Sequence, residues 1–311
     1  MAPSATGAAV SRRGWALFIA MCLIWGIPYL LIKVAVSDIS PVTLVLFRTA
    51  IGAAILLPIA AARGSLAPLL PQWKWVVAYT AIEVALPWFL VSDAEVRLSS
   101  SLTGLLLAAT PFASVVLGRL TGSNDRFDAR RLFGLVVGFV GVAALVGLNV
   151  SVRDLGAAGE IGLVAICYAV GPLIVSRRLS KVPSIGVVAV SVTLPAIAFA
   201  PLGLTHLPAA FPPAQVLVAV ALLGLICTAL AFLLFFALIA EVGPVRATVI
   251  TYVNPAVALA LGVALLGEPF TIGAVVGFAL ILLGLFLATR RGRSNASPKL
   301  RQENEQVLEA R

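Results

Sequence analysis

Residues 243–287 read GPVRATVITYVNPAVALALGVALLGEPFTIGAVVGFALILLGLFL, two long apolar runs joined by the turn Gly267-Glu268-Pro269-Phe270. Each run is near the roughly 20 residues that cross about 30 Å of hydrocarbon at about 1.5 Å rise per residue. The stretch therefore reads as a helical hairpin inside a membrane. It is written once before in the chain. There, Thr110-Pro111 stands for Asn254-Pro255, and Gly134-Leu-Val-Val-Gly-Phe139 matches Gly273-Ala-Val-Val-Gly-Phe278 at five of six positions. The chain reads as a duplication.

Composition agrees. The chain is 61% hydrophobic and 11% charged, against roughly 45 to 50% and about 25% in soluble domains. Its formal charge of +9 does not point to nucleic acid, because the basic residues sit at the ends of apolar runs and not in one patch with interleaved aromatics. Cys22, Cys167 and Cys227 all fall inside apolar runs, as packing residues without a disulfide framework or metal-ligand spacing. The opening MAPSATGAAVSRR is a polar tail before an apolar run too long for a signal-peptide core, so that run is read as a retained first span.

Apolar runs between charges and Pro/Gly turns predict ten spans, near 14–36, 41–62, 72–92, 99–120, 130–149, 159–177, 184–205, 213–240, 244–266 and 270–289. With the N-terminus inside, 18 of the 22 Lys and Arg residues fall on the cytoplasmic side, leaving Lys33, Arg48, Arg97 and Arg153 toward the outside. Five spans per half then invert the second copy. Cys22, Gly26 and Lys33 align with Cys167, Gly171 and Arg178. The expectation is an all-α polytopic membrane protein, ten transmembrane helices as two inverted five-helix repeats, 14–149 and 159–289. Cytoplasmic tails at 1–13 and 290–311 flank them. Halves that exchange conformations open a shared site to one side and then the other.

Glu83 lies about 15 Å into the third span by helix rise. A carboxylate there costs several kcal/mol unless it is neutralised, paired or hydrated, which marks it for proton coupling or substrate binding. The plainer reading makes it a structural partner of Arg48, itself the candidate charge partner or a contact for an anionic substrate group. Thr80 and Pro87 share the helix face of Glu83. Phe18, Cys22, Trp25, Tyr29 and Lys33 form one continuous mixed face on the first span, with Trp25 and Tyr29 as cavity lining and Lys33 snorkelling to the headgroups. Thr110, Thr251 and Asn254 stand beside prolines where two helices kink, and an Asn in hydrocarbon must find a partner. Tyr168 and Thr228 are further central polar residues. The glycine pairs Gly134/Gly138 and Gly273/Gly277 suit close helix packing, between the halves in preference to between two protomers. Glu268, between Gly267 and Pro269, reads as a cap on the helix that comes after it.

Trp25-Gly26, Lys33, Pro41 followed by Arg48, the Thr-Pro and Asn-Pro helix centres, and Gly-Glu-Pro before the last helix together resemble the EamA family of the drug/metabolite transporter superfamily. The resemblance covers roughly residues 14–289. It implies a ten-helix secondary carrier of the cytoplasmic membrane, often an exporter of amino acids or other small metabolites. The first repeat departs from the pattern: it has Gly122-Ser-Asn-Asp-Arg-Phe127 where the second has Gly-Glu-Pro.

The sequence carries no embedded histidine, no nucleophile motif such as GxSxG in a suitable turn, and no GxxxxGK[ST] loop, which argues against an enzyme or an ATP-driven pump. No cofactor or metal is implied. The expected partners are a small-molecule substrate, the bilayer and a proton gradient, for a monomer or homodimer; a channel or facilitator, or a lipid-handling protein, is the alternative.

Overall fold

The computed structural model describes residues 11–121 and 129–289. Residues 1–10, 122–128, which hold the Gly122–Phe127 segment, and 290–311, expected as the cytoplasmic tail, lie outside the described residues. Among the described residues the longer helical stretches are, in order, α1 Arg12–Ala35, α2 Pro41–Ala62, α3 Ala67–Arg97, α4 Ser100–Leu120, α5 Ala129–Asn149, α6 Val152–Leu179, α7 Ser184–Thr205, α8 Ala214–Val242, α9 Ile250–Leu266 and α10 Ile272–Thr289. No strand occurs among the described residues.

Seven of these, α1 to α4 and α6 to α8, are long and apolar enough to cross a membrane, while the apolar parts of α5, α9 and α10 are shorter. Ten full spans were expected. The expected run 244–266 is cut because Gly243, at φ 82°, starts a separate turn Pro244–Ala247, and α9 begins only at Ile250. The third element is longer than expected, reaching Arg97 and not 92. Its charged end is held in the helix by an Arg97–Asp93 pair at 2.8 Å and an Arg97–Glu160 pair at 2.7 Å.

Helix starts and breaks arise from side chains. The Ser11 hydroxyl accepts from the Gly14 N–H at 2.9 Å and the Ser40 hydroxyl from the Thr43 N–H at 3.2 Å, capping α1 and α2. α1 is interrupted at Trp25–Ile27 ahead of Pro28, which has no N–H to give the Ile24 carbonyl. α4 is interrupted at Ala108–Ala109 ahead of Pro111, and the Thr110 hydroxyl donates at 2.7 Å to the Leu107 carbonyl that Pro111 leaves free. α3, α6 and α8 each widen into a π-helical turn, at Thr80–Ala85, Val175–Leu179 and Leu225–Leu230. In α3 the widening precedes Pro87, which cannot bond the Glu83 carbonyl.

The broadest helix contacts join α5 to α10 and α2 to α7. Apolar surface gains little by leaving lipid, so close backbone approach carries such contacts. A Cβ on Gly141 would stand 2.7 Å from the Gly277 carbonyl oxygen, and one on Gly277 3.0 Å from that of Gly141. The Thr43 hydroxyl at the start of α2 lies 2.9 Å from the Gly203 carbonyl and 3.1 Å from that of His206 at the end of α7. α4 packs on α9, α3 on α6, and α1 on α8 and α9. The π turn of α3 faces α7, and that of α8 faces α2.

Candidate functional site

Arg48 is buried on α2, and the residues around it come from five helices. Its guanidinium carbon sits 3.7 Å above the ring centroid of Trp88 on α3, a cation–π stack. Its Nε donates to the Thr228 hydroxyl at 3.2 Å on the π turn of α8. Thr228 passes its own proton to the Leu223 carbonyl at 2.8 Å, so toward Arg48 it acts as an acceptor. Gly52, one turn along α2, leaves room for this contact: a Cβ there would stand 2.7 Å from Thr228 Cγ2. Tyr29 of α1, Tyr168 of α6, Cys227 of α8 and Glu95 of α3 lie within electrostatic range of the guanidinium.

Glu83 occupies a different seam. Its carboxylate lies in the notch that Gly171 leaves on α6, where a Cβ would overlap Oε2 and come within 2.7 Å of Cδ. Oε2 is buried with no hydrogen-bond partner. Tyr79, Cys167 and Tyr168 are its electrostatic neighbours, and no described basic group pairs with it. Arg48 thus spends its contacts on Thr228 and Trp88, not on Glu83. On the same π turn, the Thr80 hydroxyl donates to Ser191 of α7 at 3.1 Å.

A third polar group gathers where α3 ends and α4 begins. The Lys33 ammonium donates to the Glu95 carbonyl at 2.6 Å and the Leu98 carbonyl at 2.8 Å, covering the carbonyl end of α3. Glu95 is fully buried, and both its carboxylate oxygens lack partners. Glu268 accepts from the Ser100 N–H at 2.7 Å and the Ser101 N–H at 2.9 Å. It caps α4, across the molecule, and not α10 as expected from its sequence neighbours. The Thr271 hydroxyl caps α10 instead, accepting from the Ala274 N–H at 3.0 Å.

The remaining predicted residues are spread out. The continuous α1 face is split at its break: Trp25 packs on Phe232 and Phe235 of α8 at centroid separations of 5.9 and 4.7 Å, while Tyr29 lies against Gly104 of α4. With its amide turned to satisfy its neighbours, Asn254 donates to the Ile250 carbonyl at 2.9 Å and the Cys22 carbonyl at 3.2 Å. The second of these is exposed by the α1 break, since the Gly26 N–H bonds Leu23. Thr110 is committed to Leu107, and exposed Thr251 donates to the Thr248 carbonyl at 2.8 Å. The geometry brings together Tyr29, Arg48, Tyr168 and Thr228, with Glu83 one seam away. Trp88 and Glu95 belong with them, and sequence reasoning missed both. A cavity of about 490 Å3 between α2 and α8, lined by Phe47, Ile51, Phe211 and Val220 among others, is apolar and does not include Arg48.

Comparison with known proteins points the same way. The profile of the EamA-like transporter family matches the chain twice, at residues 12–147 and 161–290. An uncharacterized transporter of Bacillus subtilis, YvbV, is 23% identical over 88% of this chain and 90% of its own. The uncharacterized inner membrane transporter YedA of Escherichia coli is 28% identical over 87% and 90%. A crystal structure of a chain 22% identical superposes with a TM-score of 0.63, covering 89% of this chain and 96% of that one, and so shares its fold.

Proposed function

Because this chain belongs to the EamA-like transporter family and is a membrane transporter, not an enzyme, we propose that it is a secondary active carrier working by alternating access. In this reading ten spans form two inverted five-helix repeats in the cytoplasmic membrane, with both termini inside. The substrate is a small metabolite, such as an amino acid or an amphipathic drug. Export is coupled to protons through Glu83.

One observation carries the reading: the reciprocal packing of the π turns of α3 and α8. They begin 145 residues apart, at Thr80 and Leu225, the same offset that relates Cys22 to Cys167 and Gly26 to Gly171. The turn in α3 bonds α7 through Thr80 and Ser191; the turn in α8 bonds α2 through Thr228 and Arg48. Exchange across a two-fold relation is what inverted repeats supply, and widened or broken helices near the repeat interface are where such carriers hold substrate. Glu83 suits the coupling role because it is an acid with an unpartnered oxygen, laid in the notch at Gly171 and within electrostatic range of Tyr168.

The test is counterflow in proteoliposomes under an imposed pH gradient, with a panel of amines, amino acids and carboxylates. Saturable counterflow is expected. Glu83→Gln should keep exchange while losing uphill accumulation driven by the gradient. Full gradient-driven accumulation in that variant removes Glu83 from the coupling step, and non-saturating flux with ionic conductance replaces the carrier by a channel.

A further inference from the structure

The surroundings of Arg48 hold donors and carboxylate oxygens that no hydrogen bond joins. Its Nε is bonded to Thr228, but among the described residues no protein acceptor takes the N–H groups of its two η nitrogens. The Tyr29 and Tyr168 hydroxyls, both within electrostatic range of the guanidinium and of each other, make no hydrogen bond to a described residue either. Arg48 is 7% exposed. Donors of a charged group inside the helix bundle are costly to leave unspent unless water or a ligand takes them. Helices α1, α2 and α6 thus aim unused donor capacity at one region, which Glu95 of α3 borders without a hydrogen bond to any of it.

We propose that Arg48 anchors the carboxylate of a small organic anion and that this anion is the substrate, an inference that rests on the carrier reading above. The guanidinium edge matches a carboxylate in a two-point fork, a geometry that an ammonium cannot reproduce. Trp88 covers one face of the guanidinium, so the anion enters in its plane, where the η nitrogens are free. The tyrosine hydroxyls supply the remaining donors. Charge narrows the class further: Glu95 already lies in range of the guanidinium, so a doubly charged phosphate monoester would leave more surplus negative charge inside the membrane than a carboxylate. Trp88, Tyr29 and Tyr168 favour an aromatic or branched body. Glu95, with both oxygens unpartnered, faces the same guanidinium from the end of α3. It would hold the ammonium of a zwitterion, so a bare anion and a zwitterion share the Arg48 contact and differ at Glu95.

Calorimetric titration of the purified full-length protein with phenylacetate, its neutral analogue phenylacetamide, and phenylalanine tests the site directly. Phenylacetate or phenylalanine should bind, and phenylacetamide should bind much more weakly. Arg48→Gln should lose affinity on the order of 100-fold, the loss expected for a charged two-point contact. Tyr29→Phe and Tyr168→Phe, which change no buried volume of consequence, should each lose about 5- to 10-fold through one hydrogen bond. These variants carry the test if Arg48→Gln does not fold. Tighter binding of phenylalanine that Glu95→Gln abolishes identifies the zwitterion; indifference to Glu95→Gln identifies the bare anion. Equal affinity for phenylacetate and phenylacetamide, no carboxylate binding at all, or unchanged binding in a monodisperse Arg48→Gln protein overturns the proposal. Counterflow measured alongside separates the two readings. Carboxylate binding without exchange removes the carrier and leaves the anion site, while exchange of amines without carboxylate binding removes the anion site and leaves the carrier.

Discussion

The π turns of α3 and α8 are the same backbone device put to opposite electrical use. In α3 the turn presents Glu83, an acid laid in the notch at Gly171 with one oxygen unpartnered. In α8 the corresponding turn presents Thr228, a neutral hydroxyl that receives the guanidinium of Arg48. A π turn adds a residue to the helix circumference and redirects the side chains beyond it, so it marks a place where a helix gives up regular bonding to aim chemistry. The frame repeats while the charge does not. Trp88 joins the two regions, since it lies just past the α3 turn on the same helix and under the cation held by the α8 turn.

That bridging position makes Trp88→Ala the most damaging change in the comparison. It opens a large void, removes the stack, and leaves Arg48 with Thr228 alone. The expected loss is about 3 to 5 kcal/mol, read as a lower midpoint in reversible unfolding from mixed micelles. A loss no greater than that of a peripheral Trp73→Ala would mean that the two turns are not mechanically joined through this ring.

The second contrast uses the glycines that precede each region. A Cβ on Gly171 meets the end of a side chain that can swing, the Glu83 carboxylate, whereas a Cβ on Gly26 meets Val257 Cβ and Cγ1 at 2.5 Å, a stiff β-branched neighbour. Gly26→Ala should therefore cost about 1 to 3 kcal/mol by overpacking, and Gly171→Ala less. The functional order should be reversed: Gly171→Ala, by evicting the carboxylate from its notch, should shift the pH dependence of transport, and Gly26→Ala should leave the profile where it is. Equal stabilities, or a shifted profile in Gly26→Ala, would break the contrast.

Much of this arrangement is written in the residues. Periodic apolar runs, the Asn-Pro and Thr-Pro breaks and the duplicated glycine motif point to the helical membrane fold, and acids or bases inside long apolar stretches draw attention to Glu83 and Arg48. Contacts between elements distant in sequence are not legible in this way. Asp93, Glu95 and Arg97 resemble a loop because three charges in five residues seldom continue a span. They continue it here because Glu160 and Lys33, from α6 and α1, supply the partners. Glu268 resembles a cap for the next helix because capping is usually local, but Thr271 already fills that place and the carboxylate reaches α4. The split of the α1 face is available in principle from Pro28, which ends regular bonding at Ile24 and rotates the residues beyond it; a constant helical period carried through a proline misplaces Tyr29 relative to Trp25.

The smallest effects lie in the hydroxyls of the two turns, and they isolate the electrical difference with least disturbance. Val replaces Thr at nearly constant shape. Thr80→Val deletes a hydrogen bond between two neutral hydroxyls, Thr80 and Ser191, and should cost about 0.6 kcal/mol, the usual value for a polar contact between helices in a membrane. Thr228→Val removes an acceptor from a buried cation, and the charged partner should raise the cost to about 1.5 to 3 kcal/mol. Folding stability of the two variants, measured side by side in the same micelles, gives the difference directly. If the two costs are equal, Arg48 has found another acceptor, and the asymmetry between the turns lies in Glu83 alone.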